Sequence, residues 1–357
     1  MAQETWLGPV KSDNEPHGSL LKLQQSKEVT TVKTYKIALA ISLTFLALSM
    51  CATTVSAQRT TNFSFTPTHV PTSLGESVNG IDNHGVMVGS WTDPTNLLHG
   101  FIKSQSFPYL QLDVGTGGTT IYGISSTGII VGTYMSGTTN FGFCGKYDYD
   151  QNMVAITRTA IQYPAGVGYT QVSGVNDSGE IVGLGLDSSN KTHAFYLPSC
   201  TSTTYTEITH DSDYNNMAWG INNNHIITIS SWGNNAKTDE HAYLYDKNIA
   251  LFTGIDVPSG TGGSEVLGIN NSGDVVIGFR YSTTTTPLSV LRKSTGVYYK
   301  MVYPTDYSGT FVRGINDYQS IVGLYVDSGS KFHGFKVHYE FVAMTKPTVQ
   351  SDGGPGR

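Results

Sequence analysis

Positive charge is scarce in this chain: 21 lysines and arginines stand among 357 residues, against 27 acids. Nucleic acid asks for a basic patch or stripe, and none is present, so it is excluded as a partner. Residues 58–357 keep 16 basic and 23 acidic side chains, a net charge of −7, which argues equally against adhesion to anionic lipid. The short motifs of catalysis are missing too. There is no Gly-x-Ser-x-Gly elbow, no His-Glu-x-x-His, no phosphate loop and no Asp-box. Long apolar runs are confined to one segment near the N-terminus, and cysteine appears three times.

Glycine, with 40 residues, and tyrosine, with 21, are plentiful. The glycines follow a plan. The stretch Gly174 to Gly183 (Gly-Val-Asn-Asp-Ser-Gly-Glu-Ile-Val-Gly) recurs in six copies that begin at Gly80, Gly123, Gly174, Gly220, Gly268 and Gly314. The copies are 43, 51, 46, 48 and 46 residues apart, and a period of about 40–50 residues is that of a four-stranded propeller blade. Each copy ends a short apolar strand, passes a polar turn and starts a second strand. Turns such as Asp82-Asn83-His84-Gly85 and Asn176-Asp177-Ser178-Gly179 use side chains that bond nearby backbone and a glycine that takes positive φ. Runs such as Val86-Met87-Val88 and Ile321-Val322 are β-branched and short, which reads as strand. The turns after Gly220 and Gly314 lack the glycine, and copies four and five are one residue longer, which a bulge can absorb.

A third element reads His99-Gly100-Phe101, Phe141-Gly142-Phe143, His193-Ala194-Phe195, His241-Ala242-Tyr243 and His333-Gly334-Phe335, with Leu288-Ser289-Val290 in copy five. A fourth, such as Leu110 to Val114 or Gly254 to Pro258, completes an antiparallel meander. The combination resembles the HAF family of extracellular repeat proteins, over roughly residues 62–340. The literal match is His193-Ala194-Phe195, with near matches at His99, His241 and His333. The resemblance implies an extracellular repeat protein and carries over no catalytic residue.

Residues 1–35 are polar, with no periodic apolar pattern. Lys33 and Lys36 precede an apolar run from Ile37 to Val55, and Val55-Ser56-Ala57 before Gln58 has the form of a cleavage site. The segment 36–57 therefore reads as a secretory signal peptide in preference to a membrane anchor. Met50 before Cys51 does not suit a lipoprotein. Secretion, to the outside or to a periplasm, is the expected localisation, and no membrane span is expected after cleavage.

Asn62 to Pro71 looks like a fourth element with no blade before it, and His333 to Tyr339 like a third element with no fourth after it. The two halves complement each other. The expected fold is all-β: one six-bladed propeller over 62–341, its last blade completed by the N-terminal strand, because closure hides sheet edges. An open β-solenoid would not need complementary halves. Residues 342–357 read as a disordered tail, and a monomer is expected.

Cys144 and Cys200 lie one blade apart, at different points of the repeat. An oxidising compartment permits a bond, but the splay of the blades favours two separate thiols. His99, His193, His241 and His333 fall on outer strands of four blades, too far apart for coordination at about 2 Å, so a structural histidine bonded to a neighbouring loop is the favoured reading. The Asn/Asp turns lack the alternating spacing of a calcium loop. No metal or cofactor is expected. Trp91, Tyr134, Trp232 and Tyr325, with Arg280 in copy five and Gly185 in copy three, follow the second strand. Flat side chains there suit stacking on sugar faces, and equally suit blade-to-blade packing, the favoured reading.

The acids Asp93, Asp113, Asp187, Asp256 and Asp327 fall at repeat-equivalent places, which structure predicts, whereas a catalytic pair should break the symmetry. Irregular places are Asn222 to Glu240, with Trp232, Asp239 and Glu240, and the Thr283 to Thr286 loop. The sequence thus points to a non-catalytic binding or structural propeller whose partner is a glycan or an extracellular protein. A glycan-active hydrolase or lyase is the alternative, and a cell-surface scaffold a third reading.

Overall fold

The computed structural model describes residues 60–210, 215–233, 240–258, 261–281, 288–304 and 309–342. The polar extension, the signal segment with Cys51, and the tail beyond Val342 lie outside them. So do Asp239 and the Thr283–Thr286 loop.

β1 (Thr60–Pro67) begins the described chain. Blade 1 follows as β2 (Gly75–Ile81), β3 (Met87–Thr92), β4 (Leu98–Lys103) and β5 (Leu110–Leu112). Blade 2 is β6 (Thr119–Ile124), β7 (Ile129–Ser136), β8 (Thr139–Asp148) and β9 (Met153–Ile161). Blade 3 is β10 (Thr170–Val175), β11 (Ile181–Leu186), β12 (Thr192–Leu197) and β13 (Thr206–Ile208). Blade 4 is β14 (Asn215–Ile221), β15 (Ile226–Trp232), β16 (His241–Asp246) and β17 (Leu251–Gly254). Blade 5 is β18 (Thr261–Ile269), β19 (Val275–Tyr281), β20 (Leu288–Arg292) and β21 (Tyr298–Met301). Blade 6 is β22 (Thr310–Ile315), β23 (Ser320–Val326), β24 (Phe332–Val342) and, as its outer strand, β1.

The six first strands touch in sequence around one axis, and β22 touches β2 to complete the circle. The chain is a six-bladed β-propeller. β1 pairs antiparallel with β24 from Thr60↔Val342 to Pro67↔Phe335, so the N-terminal strand closes the last blade. Phe65 seals the joint, its ring 5.1 Å from Tyr303 and 5.3 Å from Phe335.

Two sets of glycines explain the Gly-Ile-Asn and Val-Gly words of the repeat. At the first set the innermost strands meet backbone to backbone. A Cβ on Gly174 would lie 2.7 Å from the Trp219 carbonyl oxygen and 2.9 Å from the Gly220 Cα. One on Gly314 would lie 3.0 Å from the Gly80 Cα, across the closure. At the second set, Gly89, Gly132, Gly183 and Gly323 leave room for Phe101, Phe143, Phe195 and Phe335 of the third strand, which are buried. In blades 4 and 5 the second-strand residue is Ile229 or Ile277, and its partner is Tyr243 or Val290.

Two hydrogen-bond systems run from blade to blade. In the first, the side chain four residues before each repeat glycine accepts from the backbone N–H that follows the preceding blade's last strand. The pairs are Val114 to Thr119 (2.8 Å), Tyr163 to Thr170 (2.9 Å), His210 to Asn216 (3.2 Å), Val257 to Ser264 (3.2 Å) and Tyr303 to Thr310 (2.8 Å). At the closure Val70 donates to Glu76 at 2.6 Å.

The second system is a complete circle of turn residues. Backbone N–H groups donate from Asn83 to Ser126, Ser126 to Asp177, Asp177 to Asn223, Asn223 to Asn271, Asn271 to Asp317 and Asp317 back to Asn83, at 2.6–3.2 Å. The turn oxygens that resembled calcium ligands are spent on backbone: Asn176 Oδ1 accepts from Ser178 and Glu180, and Asn316 Oδ1 from Tyr318 and Ser320. Where the turn glycine is missing, His225 and Gln319 take the left-handed conformation, at φ 63° and 59°.

The reading of Cys144 and Cys200 as separate thiols is corrected by the structure: they form a disulfide, with Cα atoms 6.1 Å apart. Cys144 lies in β8, where two register shifts surround its pairing with Arg158 of β9. Its side chain belongs to the cluster between blades 2 and 3, with Val172, Phe195 and Leu197, and Cys200 packs on the same cluster. Different points of the repeat meet because facing blades pack against one another with a stagger.

Gly174→Ala should destabilise the protein by about 1–3 kcal/mol, the usual cost of overpacking. Gly254→Ala, whose Cβ meets nothing nearer than 3.9 Å, should stay within about 0.5 kcal/mol. Denaturant melts of the two variants check this. Replacing both Cys144 and Cys200 by serine frees a loop with a sequence separation of 56, and loop-closure entropy puts the loss at about 4 kcal/mol, read from the same melts.

Candidate ligand-binding funnel at the propeller axis

Each innermost strand carries a β-bulge next to its repeat glycine. Pairing skips one residue at Val78/Gly80, Ile121/Gly123, Val172/Gly174 and Val312/Gly314, and two residues at Ala218/Ile221 and Val266/Ile269. A bulged residue leaves the ladder and its side chain is re-aimed. The residues so released are Asn79, Tyr122, Ser173, Trp219, Leu267 and Arg313, and they line an axial cavity of about 100 Å³. Water needs roughly 10–15 Å³ of such space, so the cavity has room for more than one water.

The axis is built in layers of six. The bulged residues come first, followed by the glycine ring, then by Ile81, Ile124, Val175, Ile221, Ile269 and Ile315. The circle of turn residues lines the far end. The lower layers repeat from blade to blade. The first presents six different side chains at six equivalent positions. None of them was a candidate in the sequence, although the signal was there: this column never repeats inside a repeating motif.

Polar groups in the funnel divide into used and unused. Asn79 Oδ1 accepts from Ser77 at 2.6 Å and its Nδ2 donates to the Ile121 carbonyl at 3.0 Å. Ser173 Oγ accepts from Gln171 Nε2 at 3.1 Å, and Gln171 accepts from the Tyr169 hydroxyl at 2.9 Å. By contrast Trp219 Nε1 and Arg313 Nε are buried and have no hydrogen-bond acceptor among the described residues. Burial pushes the Tyr122 phenol up, and the charge of nearby Arg313 offsets part of that rise. The funnel is therefore lined by an indole, a phenol and a guanidinium that come from alternate blades.

The aromatics named from the sequence lie elsewhere. Trp91, Tyr134 and Tyr325 pair with Glu76, Thr119 and Thr310 and face the third strand's His99, Phe141 and His333. Their faces are covered: Trp91 lies 4.9 Å from His99, and Tyr325 stacks on Tyr303 at 3.7 Å. Trp232 and Arg280 do not share this slot. The residues that pair with Asn216 and Ser264 are Ser231 and Phe279. The extra residue in copies four and five thus moves Trp232 and Arg280 one step on, and one step reverses the face of a strand. Trp232 is 5% exposed, and the Arg280 side chain lies outside the described part of the chain.

The four histidines link their strand to acids. His99 Nδ1 meets Asp113 at 2.7 Å and its Nε2 lies 3.4 Å from Asp93. His193 meets Glu207 at 2.7 Å and Asp187 at 3.1 Å. His241 reaches Asp256 at 2.7 Å and His333 reaches Asp327 at 2.8 Å. The candidate acids are thereby absorbed into repeated bridges between a strand and a loop.

Two turn acids at equivalent places, Glu180 and Asp274, gather clusters of their own, Asp274 with Lys293 and Tyr339. Glu180 accepts from Asn176, Tyr196, His225 and Lys247 at 2.6–2.7 Å. Burial alone would raise its carboxyl, but Lys247 and the other donors outweigh that and hold it at about 2. Four donors saturate the carboxylate, and Tyr196 is raised by burial and by Glu180 itself, so the cluster fastens blade 3 to blade 4 and holds no free base.

No family model matches the sequence, and no curated protein matches it. Among solved structures, a protein of unknown function from Dyadobacter fermentans DSM 18053 is similar with a TM-score of 0.51 and 9% identity, over 79% of this chain and 99% of that one. A lectin from Aleuria aurantia is similar at 0.45 and 9%, over 80% and 100%. The β-propeller domain of the Trilobed protease from Pyrococcus furiosus follows at 0.44 and 8%, over 79% and 99%. Identities this low bear on the fold alone.

The histidine bridges give stability a pH dependence. Burial alone would lower His99 and His193, but Asp113, and Glu207 with Asp187, outweigh it and raise both. Stability from these histidines is complete below their ordinary value of about 6.5 and is lost as pH climbs through the raised values. Asp187 and Asp327 are lowered chiefly by His193 and His333, and Asp93 chiefly by the Leu97 N–H. Their share is complete above about pH 4 and is lost as pH falls through the lowered values. Melting temperature should peak near pH 5–6 and fall towards pH 8, and His193→Gln should flatten that fall, which thermal melts across the range check.

Proposed function

We propose that the protein is an exported, non-catalytic binding propeller that takes its ligand, an extracellular glycan, at the axial funnel. One observation carries this reading: Asn79, Tyr122, Ser173, Trp219, Leu267 and Arg313 are chemically unlike one another at equivalent places, and they converge on one cavity. Structural repeats conserve what packing needs, and function is what breaks them. An indole, a phenol and an amide lining one cavity offer flat apolar surface with polar edges, the surface that suits a sugar ring. The same reading takes the chain for an extracellular repeat protein of the HAF type, on the strength of His193-Ala194-Phe195 and of the segment from Lys33 to Ala57.

The test is to incubate the purified protein with a panel of polysaccharides and to score retention and released fragments separately. Retention without fragments is expected. Trp219→Ala should weaken binding at least tenfold, whereas Trp91→Ala, outside the funnel, should leave it within twofold. Released fragments would replace the binding reading with that of a hydrolase or lyase.

A further inference from the structure

Arg313 is the one feature of the funnel that a neutral sugar does not explain. Its Nε is buried and finds no acceptor, and no carboxylate pairs with its guanidinium among the described residues. Arg292 also leaves its Nε unbonded, but its Nη1 donates to the Lys293 carbonyl at 3.4 Å and its guanidinium lies over the Tyr298 ring. Other partly covered cations are matched. Lys247 holds Glu180, Lys293 holds Asp274, and Arg158 donates to the carbonyls of Cys200 and Ser202. The Arg313 side chain as a whole is half-buried, and packing does not require a cation here. Leu267 occupies the equivalent position in blade 5, so an apolar side chain suits the bulge.

We propose, building on the funnel reading, that Arg313 receives the carboxylate of a uronate residue of an acidic glycan. The guanidinium presents a planar fork of donors that matches a carboxylate with two parallel bonds. A uronate ring sets that carboxylate one bond from a sugar face, which rests against Trp219 or Tyr122. An acidic peptide would use the guanidinium and leave the flat surfaces without purpose. The contact is a single buried ion pair on an acidic protein. Binding is therefore weakly salt-dependent, unlike condensation of a polyanion onto a basic surface.

Calorimetric titration with trisaccharides of galacturonate, glucuronate and mannuronate, and with their neutral hexose counterparts, tests this. At least one uronate is expected to bind tenfold or more tighter than its neutral counterpart. Arg313→Gln should erase that preference, Arg313→Lys should keep part of it, and Trp219→Ala should weaken acidic and neutral sugars alike. The melting temperature of unliganded Arg313→Gln should stay close to that of the native protein, because no carboxylate pairs with the guanidinium among the described residues. A melting temperature that falls instead makes Arg313 structural and overturns the proposal. A uronate preference that survives Arg313→Gln, or equal binding of neutral sugars, also overturns it, yet leaves the funnel standing if Trp219→Ala still weakens binding. Binding of poly-glutamate in place of any sugar overturns the choice of a glycan. No binding by any trisaccharide, acidic or neutral, overturns this inference and the funnel reading together.

Discussion

Backbone-to-backbone contact at the axis is the constraint on which the rest of this propeller depends. Gly174 faces Gly220, and Gly314 faces Gly80, at separations that leave no room for a Cβ. Six strands are thereby drawn to a common axis, and the angle between neighbouring blades follows from that approach. The bulge beside each glycine belongs to the same arrangement. It lets one residue leave the ladder, and so the tightest part of the fold also releases six side chains into an open space along the axis. Packing and binding surface come from the same local geometry.

Around this centre the protein repeats its fastenings and changes their chemistry only where geometry asks. The bond from each inter-blade N–H to the residue four before the glycine uses Thr119, Thr170, Asn216, Ser264 and Thr310 within the chain, and Glu76 at the closure. The closure is also where β1 must be held without a covalent link to β24. There a buried carboxylate accepts from both the Val70 N–H and the Thr68 hydroxyl, a charge-assisted bond stronger than its neutral counterparts. The disulfide between Cys144 and Cys200 adds a covalent tie where blade 2 meets blade 3. Each device counters the same weakness, which is that blades touch mainly their neighbours and a ring opens at its weakest seam.

Symmetry separates structure from function here more clearly than residue type does. Histidine, aspartate and tryptophan are the residues a reader of sequence reaches for first, and in this chain most of them hold strands to loops or lie between blades. His193 with Glu207 and Asp187 has the composition of a reactive triad, yet His99 with Asp113 and Asp93 repeats it two blades away. Asn79, Ser173 and Leu267 would attract no notice alone. They matter because they stand at one position with Tyr122, Trp219 and Arg313.

Sequence alone determined the blade count, the order of strands within a blade and the closure by Asn62 to Pro71, because these depend on local periodicity and on complementary half-repeats. It also marked the turn chemistry, since Asn176 or Asn316 bonds backbone within four residues of itself. Three matters needed the tertiary structure. The Cys144–Cys200 bond depends on how blades 2 and 3 stagger, which no spacing along the chain records. The faces of Trp232 and Arg280 depend on a register that shifts by one residue, and one residue reverses a strand. The funnel depends on six bulges being drawn to one axis: the column before the repeat glycines was visible in the sequence, but only the ring of blades brings its six members within reach of a single ligand.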